Sequence, residues 1–192
     1  DIASAKLPEM IDNRRYMHMH PELSFKEKET YKFILNHLSK YPDLHIRENV
    51  GANKENEGVG IIASIGEGHP HIAIRADFDA LPIEDQKEVA YKSQNPGVMH
   101  ACGHDGHTST LLGLVDTVVA NKANLKGTVS FIFQYGEEEQ PGGAKAMTED
   151  GALNGVDKVY GQHYWSQFDT NEIQARPGAL IASPDGFYIT IK

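Results

Sequence analysis

Nine residues from Met99 to His107, M-H-A-C-G-H-D-G-H, contain three histidines, an aspartate and the only cysteine of the 192-residue chain. Imidazole, thiolate and carboxylate groups are the side chains with which proteins bind transition metals near neutral pH. Gly103 and Gly106 allow the backbone to bend, so that neighbouring side chains can converge on one point. An apolar helical pattern follows directly. The stretch therefore predicts a metal site at the start of a helix.

Three further groups of acidic or imidazole side chains follow apolar stretches that are typical of buried strands. At the carboxyl ends of the strands of an open α/β sheet, side chains from distant parts of a chain meet along one edge, where active sites gather. One such group is weak support for a site, but four groups in one chain favour a shared one. The three further groups are Asp77 with Asp79, the run Glu137 to Glu139, and His163.

Hydrolytic metal sites need protein ligands, an open position for water and a carboxylate that manages the proton of that water. Cys102 and His104 are two residues apart, so both can reach a metal from one extended loop. Because a thiolate can bridge two ions whereas an imidazole nitrogen binds one, Cys102 is the better candidate bridge. Adjacent glutamates suit a division of labour, with one as a ligand and its neighbour as a general base.

Two other interpretations of the same residues stay open at this point. The groups could form a structural metal site, although such zinc sites are closed by four protein ligands and rarely need an extra pair of glutamates. Cys102 could instead be a nucleophile, which predicts inactivation by alkylation and no requirement for a metal.

The composition limits the classes of partner. Lys and Arg number 18 and Asp and Glu number 27, which gives a net charge of −9 that is spread along the chain. A nucleic-acid or anionic-membrane surface would need clustered Lys and Arg, so neither partner is expected. No apolar run reaches the roughly 20 residues that span a bilayer. A single cysteine cannot form an internal disulfide, which fits a reducing compartment, and we expect a cytoplasmic protein.

The predicted elements are two helices followed by alternating strands and helices. This order predicts a three-layer α/β domain with a mostly parallel, mixed sheet. The runs Val59–Ile65 and His71–Ala76, separated by G-E-G-H-P, predict a hairpin or an adjacent strand pair. The predicted helices are Ile2–His20, Phe25–Tyr41, Thr108–Asn121 and Ala144–Asp150, and the other predicted strands are Gly127–Gln134, Val156–Tyr160 and Asp185–Lys192.

Two local patterns concern the first two helices. Leu7, Ile11 and Met17 lie at helical spacing, which predicts an apolar stripe that faces the core. Ser24 precedes the second helix, and Glu27 follows three residues later, which is the pattern of a capping box.

Five motifs occur in chain order: H-P-E-L-S-F from His20, I-R-A-D-F-D-A-L-P from Ile74, M-H-A-C-G-H-D from Met99, F-Q-Y-G-E-E from Phe133 and G-Q-H from Gly161. Together they resemble the M20 metallopeptidase family. More narrowly, they are similar to its amidohydrolase branch, which includes hippurate hydrolases, N-acyl-amino-acid amidohydrolases and indole-acetyl-amino-acid hydrolases. The similarity covers nearly the whole chain in the right order, and A-C-G-H-D with a downstream E-E is its most specific part.

The resemblance implies a hydrolase that cleaves the amide bond of an N-acyl amino acid or a similar small amide through a metal-activated water. It implies a zinc-peptidase-like α/β domain with two divalent ions, zinc or manganese, and mixed S, N and O ligands also accommodate cobalt. Glu137 would be the general base, and Asp79, in the D-A-L-P motif, would support the site from behind. The metal ligands carried over by motif are Cys102, His104, Glu138 and His163.

Two features depart from the family pattern. Where the family commonly has Q-P-A-E-E, this chain has Q-Y-G-E-E and then Glu139, so the base and ligand are Glu137 and Glu138 or are shifted by one. Family members are also roughly twice as long and insert a lid domain that usually forms a dimer.

The difference in length leads to an expected division of the chain. Residues 1–178 would be the N-terminal part of the catalytic domain, incomplete at its C-terminal end, and residues 179–192 would be the crossover and first strand of the lid. A further histidine ligand would then lie outside the chain, and the full-length form would be a homodimer or larger. The alternative functions are a di- or oligopeptidase of the same family and a non-catalytic metal-binding protein.

Overall fold

The computed structural model describes residues 2–52, 57–181 and 189–191. Within these ranges the two N-terminal helices precede a sheet whose strands alternate with two further helices, as the sequence predicts. Helix α3 begins at the Cys102–His104 motif, several residues earlier than the predicted Thr108. The elements are α1 (Ile2–Met19), α2 (Lys28–Leu38), β1 (His45–Val50), β2 (Gly60–Glu67), β3 (His71–Asp77), α3 (His104–Ala120), β4 (Gly127–Gln134), α4 (Gly143–Glu149) and β5 (Lys158–Gly161).

The strands form one mixed sheet in the order β1-β2-β4-β3-β5. β3 is parallel to both β4 and β5, whereas β2 is antiparallel to both β1 and β4. Consecutive residues are buried along the central strands β2 and β4, so both faces of these strands are covered. An apolar strand without alternation is typical of this position. The predicted mixed α/β fold is confirmed.

The predicted adjacency of the second and third strands is wrong. β4 lies between them, and Ile62 of β2 pairs with Ile132 while Ile74 of β3 pairs with Phe131. Because β4 is apolar over most of its length, it buries more surface in the middle of the sheet than at an edge. The sequence analysis also missed β1, His45–Val50, whose residues are mostly exposed or half-buried.

The predicted capping box of α2 does not form. Glu27 occupies the N-cap position, but the structure shows no side-chain capping hydrogen bond there. The Ser24 hydroxyl donates instead to Asp79, and the Glu27 carboxylate accepts from the backbone N–H of Gly136. Both side chains are therefore directed to the carboxyl end of the sheet and away from their own helix.

The predicted core-facing stripe of α1 is only partly correct. Met17 is buried, but Leu7 is 54% exposed and Ile11 is 40% exposed. The helix lies against α3, where the Met10 side chain fills the space beside Gly113. Leu7 and Ile11 lie outside that contact and line an open cavity of about 880 Å³.

Two further observations concern the predicted organisation of the chain. None of the helices in the described ranges combines the length and the apolar character that crossing a membrane requires. The predicted strand Asp185–Lys192 falls mainly on residues 182–188 and 192, which lie outside the described residues. The division between a catalytic part and a lid at residue 178 stays a prediction.

Candidate metal centre

The four predicted groups meet at one edge of the sheet. Since β3, β4 and β5 are parallel, their carboxyl ends lie side by side, and the polar groups that follow them emerge together. α3 begins at the same edge, so its first residue, His104, faces the groups from the strands. Among the described residues, three overlapping sets have ligand atoms within 4.8 Å of one another, namely Cys102/His104/His163, Asp77/His104/His107 and His104/Glu137/Glu138.

His104 belongs to all three sets and is fully buried. Its Nδ1–H donates to Asp79 Oδ1 at 3.0 Å, which fixes the ring and leaves Nε2 as the atom that faces the site. Nε2 lies 3.6 Å from Glu138 Oε1 and 3.8 Å from Glu137 Oε2. A histidine held at one nitrogen by a carboxylate is the usual arrangement of a metal-ligating imidazole.

Cys102 and His163 approach from two separate loops. The Cys102 Sγ atom lies 3.3 Å from His163 Nε2. His163 Nδ1 lies 2.6 Å from the carbonyl oxygen of Tyr164, so Nδ1 carries the hydrogen and Nε2 is an acceptor. Cys102 is a half-buried free thiol and His163 is exposed. The Cys102 sulfur and one ring nitrogen each of His104 and His163 can therefore converge on a shared ion.

Two buried polar atoms at this centre have no hydrogen-bond partner among the described residues. They are His104 Nε2 and Glu138 Oε1, which face each other. A buried polar atom without a partner costs about 1–3 kcal/mol, so such atoms are rare unless a ligand satisfies them. Sulfur, nitrogen and carboxylate oxygen are also a suitable donor set for a divalent transition metal. The residues present therefore fit a metal.

The charges of the centre also favour a bound cation. Burial lowers the pKa of His104, but hydrogen bonds to Asp79 and Cys102 outweigh it and raise the pKa to about 11. Burial raises the pKa of Asp79, yet the donors His104, the Glu138 N–H and Ser24 hold it below its usual value. The cluster thus carries more negative than positive charge, and a divalent cation would replace the proton on His104.

Glu137 and Glu138 differ in exposure. The Glu137 side chain is 42% exposed and that of Glu138 is 19% exposed. Burial of the Glu137 carboxyl and the nearby Glu138 charge raise the pKa of Glu137, which is the direction that a general base near neutral pH needs. Glu139 is exposed, and the grouped donor atoms do not include it. This arrangement supports the unshifted pair, Glu137 and Glu138.

Sequence reasoning missed how Asp77 and His107 act together. His107 Nδ1–H donates to Asp77 Oδ1 at 2.7 Å, and Arg75 donates to Asp77 Oδ2 at 2.6 Å. Burial raises the pKa of Asp77, but the hydrogen bond to His107 and the charge of Arg75 lower it further than burial raises it. His104 and His107 lie about one turn apart on one face of a helix, and Asp77 and Asp79 lie on one side of an extended segment. Each histidine can therefore meet one aspartate, and these two spacings in the sequence were the signal that could have predicted both pairs.

Tyr164 fastens the His163 loop to the start of α3. Its backbone N–H donates to His107 Nε2 at 3.0 Å, and its hydroxyl lies 2.6 Å from Thr110 Oγ1. The ring lies directly over Gly106, where a β-carbon would come within 2.3 Å of the Tyr164 ring. Gly106 is therefore needed for this close approach, and the sequence analysis had assigned it only backbone flexibility.

Asp105 and His100, from the same Met99–His107 stretch, are buried beside the centre. Asp105 accepts from His18 Nδ1 at 2.6 Å and pairs with Arg14 at 3.1 Å, so it ties α3 to α1. Neither ring nitrogen of His100 has a hydrogen-bond partner within the described part of the chain. Neither Asp105 nor His100 belongs to the grouped donor atoms around His104.

Comparison with known proteins identifies the family. The model of Peptidase family M20/M25/M40 matches residues 73–183, which is more than half of the chain. The chain therefore belongs to this family, as its motifs predicted. The matched region contains Asp79, the Cys102 loop, the glutamates after β4 and His163.

Individual relatives agree with this assignment. An N-acyl-L-amino acid amidohydrolase of Geobacillus stearothermophilus is 40% identical over 95% of this chain and 48% of its own length. Thermostable carboxypeptidase 2 of Saccharolobus solfataricus is 40% identical over 95% of this chain and 46% of its own. A dinuclear metal binding peptidase of the M20 family from Bacillus subtilis has a TM-score of 0.74 at 43% identity, covering 83% of this chain and 43% of that one. The chain spans about half the length of the curated relatives it matches.

Proposed function

We propose that this chain forms the metal-binding part of a hydrolase that cleaves the amide bond of N-acyl amino acids or similar small amides. The observation that carries the proposal is a pair of buried atoms, His104 Nε2 and Glu138 Oε1, which have no hydrogen-bond partner in the described part of the chain and lie beside the Glu137 carboxylate. Family membership and the amidohydrolase relative from Geobacillus stearothermophilus support the reaction class.

The proposed ligands are the four residues that the motifs indicated, Cys102, His104, Glu138 and His163. The name of the Bacillus subtilis relative, a dinuclear metal binding peptidase, supports two ions rather than one. Cys102 would be the bridging candidate that the sequence indicated, because its sulfur lies within 4.8 Å of a ring nitrogen of both His104 and His163. The mixed donor set accommodates zinc, manganese or cobalt. When bound, the metal pair supplies Lewis acidity that lowers the pKa of water towards roughly 7 and polarises a carbonyl group.

Glu137 is the proposed general base. Its carboxylate takes a proton from the attacking water as the water oxygen bonds to the amide carbon. Glu137 then gives that proton to the amide nitrogen as the C–N bond breaks, which releases a carboxylic acid and an amine. Asp79 does not touch the reacting atoms. Its role is to orient His104 through the Nδ1 hydrogen bond.

The decisive test compares Glu137→Gln with Glu139→Gln in a polypeptide that contains these 192 residues and has the length of the relatives. Glu137→Gln removes the base and should lower turnover of a hippurate-like amide about 10²- to 10⁴-fold while the metal content, measured by elemental analysis, stays the same. Glu139→Gln changes an exposed neighbour with the same chemistry and should keep full turnover. An active Glu137→Gln variant would contradict the assignment.

A peptidase is the second candidate function, because a carboxypeptidase relative is as similar to the chain as the amidohydrolase relative. Comparing turnover of hippurate-like amides with that of dipeptides separates the two. A non-catalytic metal-binding role predicts a closed site, and a metal-loaded form without exchangeable water would support it.

Two further parts of the proposal concern the whole protein. Metal binding by Cys102 requires a free thiolate, so a reducing compartment such as the cytoplasm suits the site. A homodimer formed through a lid domain stays a prediction from the family resemblance.

A further inference from the structure

The segment between α1 and α2 lies behind the proposed metal site, although its only predicted function was to cap a helix. Its residues Ser24 and Glu27 are 7% and 4% exposed. Neither is among the donor atoms grouped around His104. Both nevertheless form hydrogen bonds to groups that position those donor atoms, so each can influence the site without being a ligand.

Ser24 acts on Asp79. The Ser24 Oγ–H donates to Asp79 Oδ2 at 2.7 Å, and the backbone N–H of Glu138 donates to the same oxygen at 2.9 Å. The other oxygen, Oδ1, accepts from His104. One carboxylate therefore joins the imidazole of His104 to the backbone of Glu138, and the Ser24 hydroxyl limits its rotation. The separation of those two candidate ligands depends on this orientation.

Glu27 acts on the same loop two residues earlier. Its Oε1 accepts from the backbone N–H of Gly136 at 2.8 Å, and both residues are buried. A hydrogen bond from a backbone N–H to a buried carboxyl group is electrostatically stronger than one to water, because the low dielectric of the surroundings screens the interaction less. The loop that carries Glu137 and Glu138 is thus held at two amides, one by Glu27 and one by Asp79.

Phe25 adds a steric constraint at the same point. Its φ angle is +65°, an uncommon conformation for a residue with a side chain, and it directs the ring towards Gly136. A β-carbon at Gly136 would lie 2.6 Å from Phe25 Cε1, so the loop backbone rests directly on the ring. The backbone at Phe25 is strained, and strain of this kind persists where the surroundings require it.

We propose that Ser24 and Glu27 are positioning residues that set the distance between His104 Nε2 and the carboxylates of Glu137 and Glu138, and thereby the affinity of the site for a divalent metal. The proposal rests on the proposed function, because it takes these atoms as the metal site. Neither residue touches the metal or the substrate, so each acts through the geometry of other side chains.

The test measures zinc affinity of the 192-residue chain by competition with a chromogenic chelator, together with hydrogen exchange of individual amides. Ser24→Ala and Glu27→Ala should each weaken zinc binding about 10- to 100-fold, the usual effect of removing a group that orients a ligand. Glu27→Gln keeps an acceptor for the Gly136 N–H and should stay within about threefold of wild type. Exchange at the Gly136 amide should accelerate about tenfold or more in Glu27→Ala without any metal present.

Ser130→Ala is the matched control for Ser24→Ala. Ser130 is also a buried serine, but its hydroxyl bonds to His71 near the opposite end of the strand, and its loss should leave zinc affinity unchanged. If wild type binds zinc and both alanine variants bind it equally well, the positioning role is refuted and the metal site stands. If Glu27→Gln weakens binding as much as Glu27→Ala, the acceptor role of Glu27 is refuted. If wild type binds no zinc, the metal site and the positioning role both fail.

Discussion

Helix α3 carries buried aspartate–histidine pairs at both of its ends, and only one end has the character of a metal site. At the N-terminal end, His104 Nδ1 bonds to Asp79, and its Nε2 has no hydrogen-bond partner among the residues that the structure describes. In the C-terminal half, Asp116 accepts from His37 Nε2 and from the Tyr41 hydroxyl, both at 2.7 Å. The two ends contain similar residue types with similar burial, so residue type alone does not show which end is a metal site.

The two ends of α3 differ in which group neutralises the negative charge of the carboxylates. Glu9, His37 and Asp116 also have ligand atoms within 4.8 Å of one another. There, however, the ammonium group of Lys6 lies 3.0 Å from Asp116 and 3.2 Å from Glu9, so a cation is already supplied by the chain. At the N-terminal end, no lysine or arginine in the described ranges forms an ion pair with Glu137 or Glu138. An acidic, histidine-containing cluster indicates a metal only where the chain does not supply the counter-charge itself.

His104→Ala and His37→Ala should separate the two ends most strongly. Structural zinc sites bind with about 10 to 16 kcal/mol shared among four ligands, so loss of His104 should weaken zinc binding about 100-fold or more. His37→Ala should leave zinc affinity unchanged and lower the free energy of unfolding by about 1 to 3 kcal/mol, since it removes a buried partner of Asp116. Isothermal titration with zinc and urea unfolding give the two readouts. Equal zinc affinities in the two variants would remove the distinction.

Asp116→Asn should destabilise the fold without affecting the metal. The substitution removes a buried charge that three donors satisfy, and we expect the free energy of unfolding to fall by about 2 to 3 kcal/mol. Asp43→Asn is the control, because Asp43 forms only an exposed ion pair with Lys122 and should contribute less than about 1 kcal/mol. Urea denaturation measures both. A stable Asp116→Asn variant that binds zinc poorly would reverse our assignment of the two ends.

The pH dependence of stability provides the smallest and most specific test. Burial raises the pKa of Asp116, but hydrogen bonds from His37, Tyr41 and Lys6 outweigh it and lower the pKa from 3.8 to about 2. Because the folded pKa is below the unfolded one, the carboxylate stabilises the fold above pH 3.8, and this stabilisation is lost as the pH falls towards 2. The difference in unfolding free energy between wild type and Asp116→Asn should shrink by about 2 kcal/mol over that range. A difference independent of pH would contradict the ionised state of Asp116.

That the candidate site residues lie close together was largely predictable from short sequence patterns. The glutamates after β4 and the aspartates at the end of β3 follow apolar strands, and parallel strands bring such ends together. Cys102 and His104, two residues apart, lie at the start of α3, which begins at the same edge of the sheet. β4 itself was predicted with its observed bounds, because five of its eight residues, including Phe131, Ile132 and Phe133 in succession, are apolar or β-branched, which is typical of a buried strand.

The features that were not predictable depend on contacts between distant segments. β1 contains only two apolar residues in H-I-R-E-N-V, so its strand conformation comes from pairing with β2. The order of β2, β4 and β3 depends on which strand buries the most apolar surface when it lies in the middle of the sheet. The periodicity within one strand does not contain that information. Ser24 and Glu27 match a capping box, but Asp79 and Gly136 offer them buried partners, and tertiary contacts override the local preference.

The close contact between Tyr164 and Gly106 has a consequence for how the site could be lost. His163 is the most exposed of the proposed ligands, and its loop is located by a ring that occupies the place of a missing side chain. Adding one methyl group at position 106 would displace Tyr164, and with it the imidazole of its neighbour, although every functional group of the centre would remain. The proposed metal site is thus sensitive to a change of shape alone, at a residue that contributes no functional group.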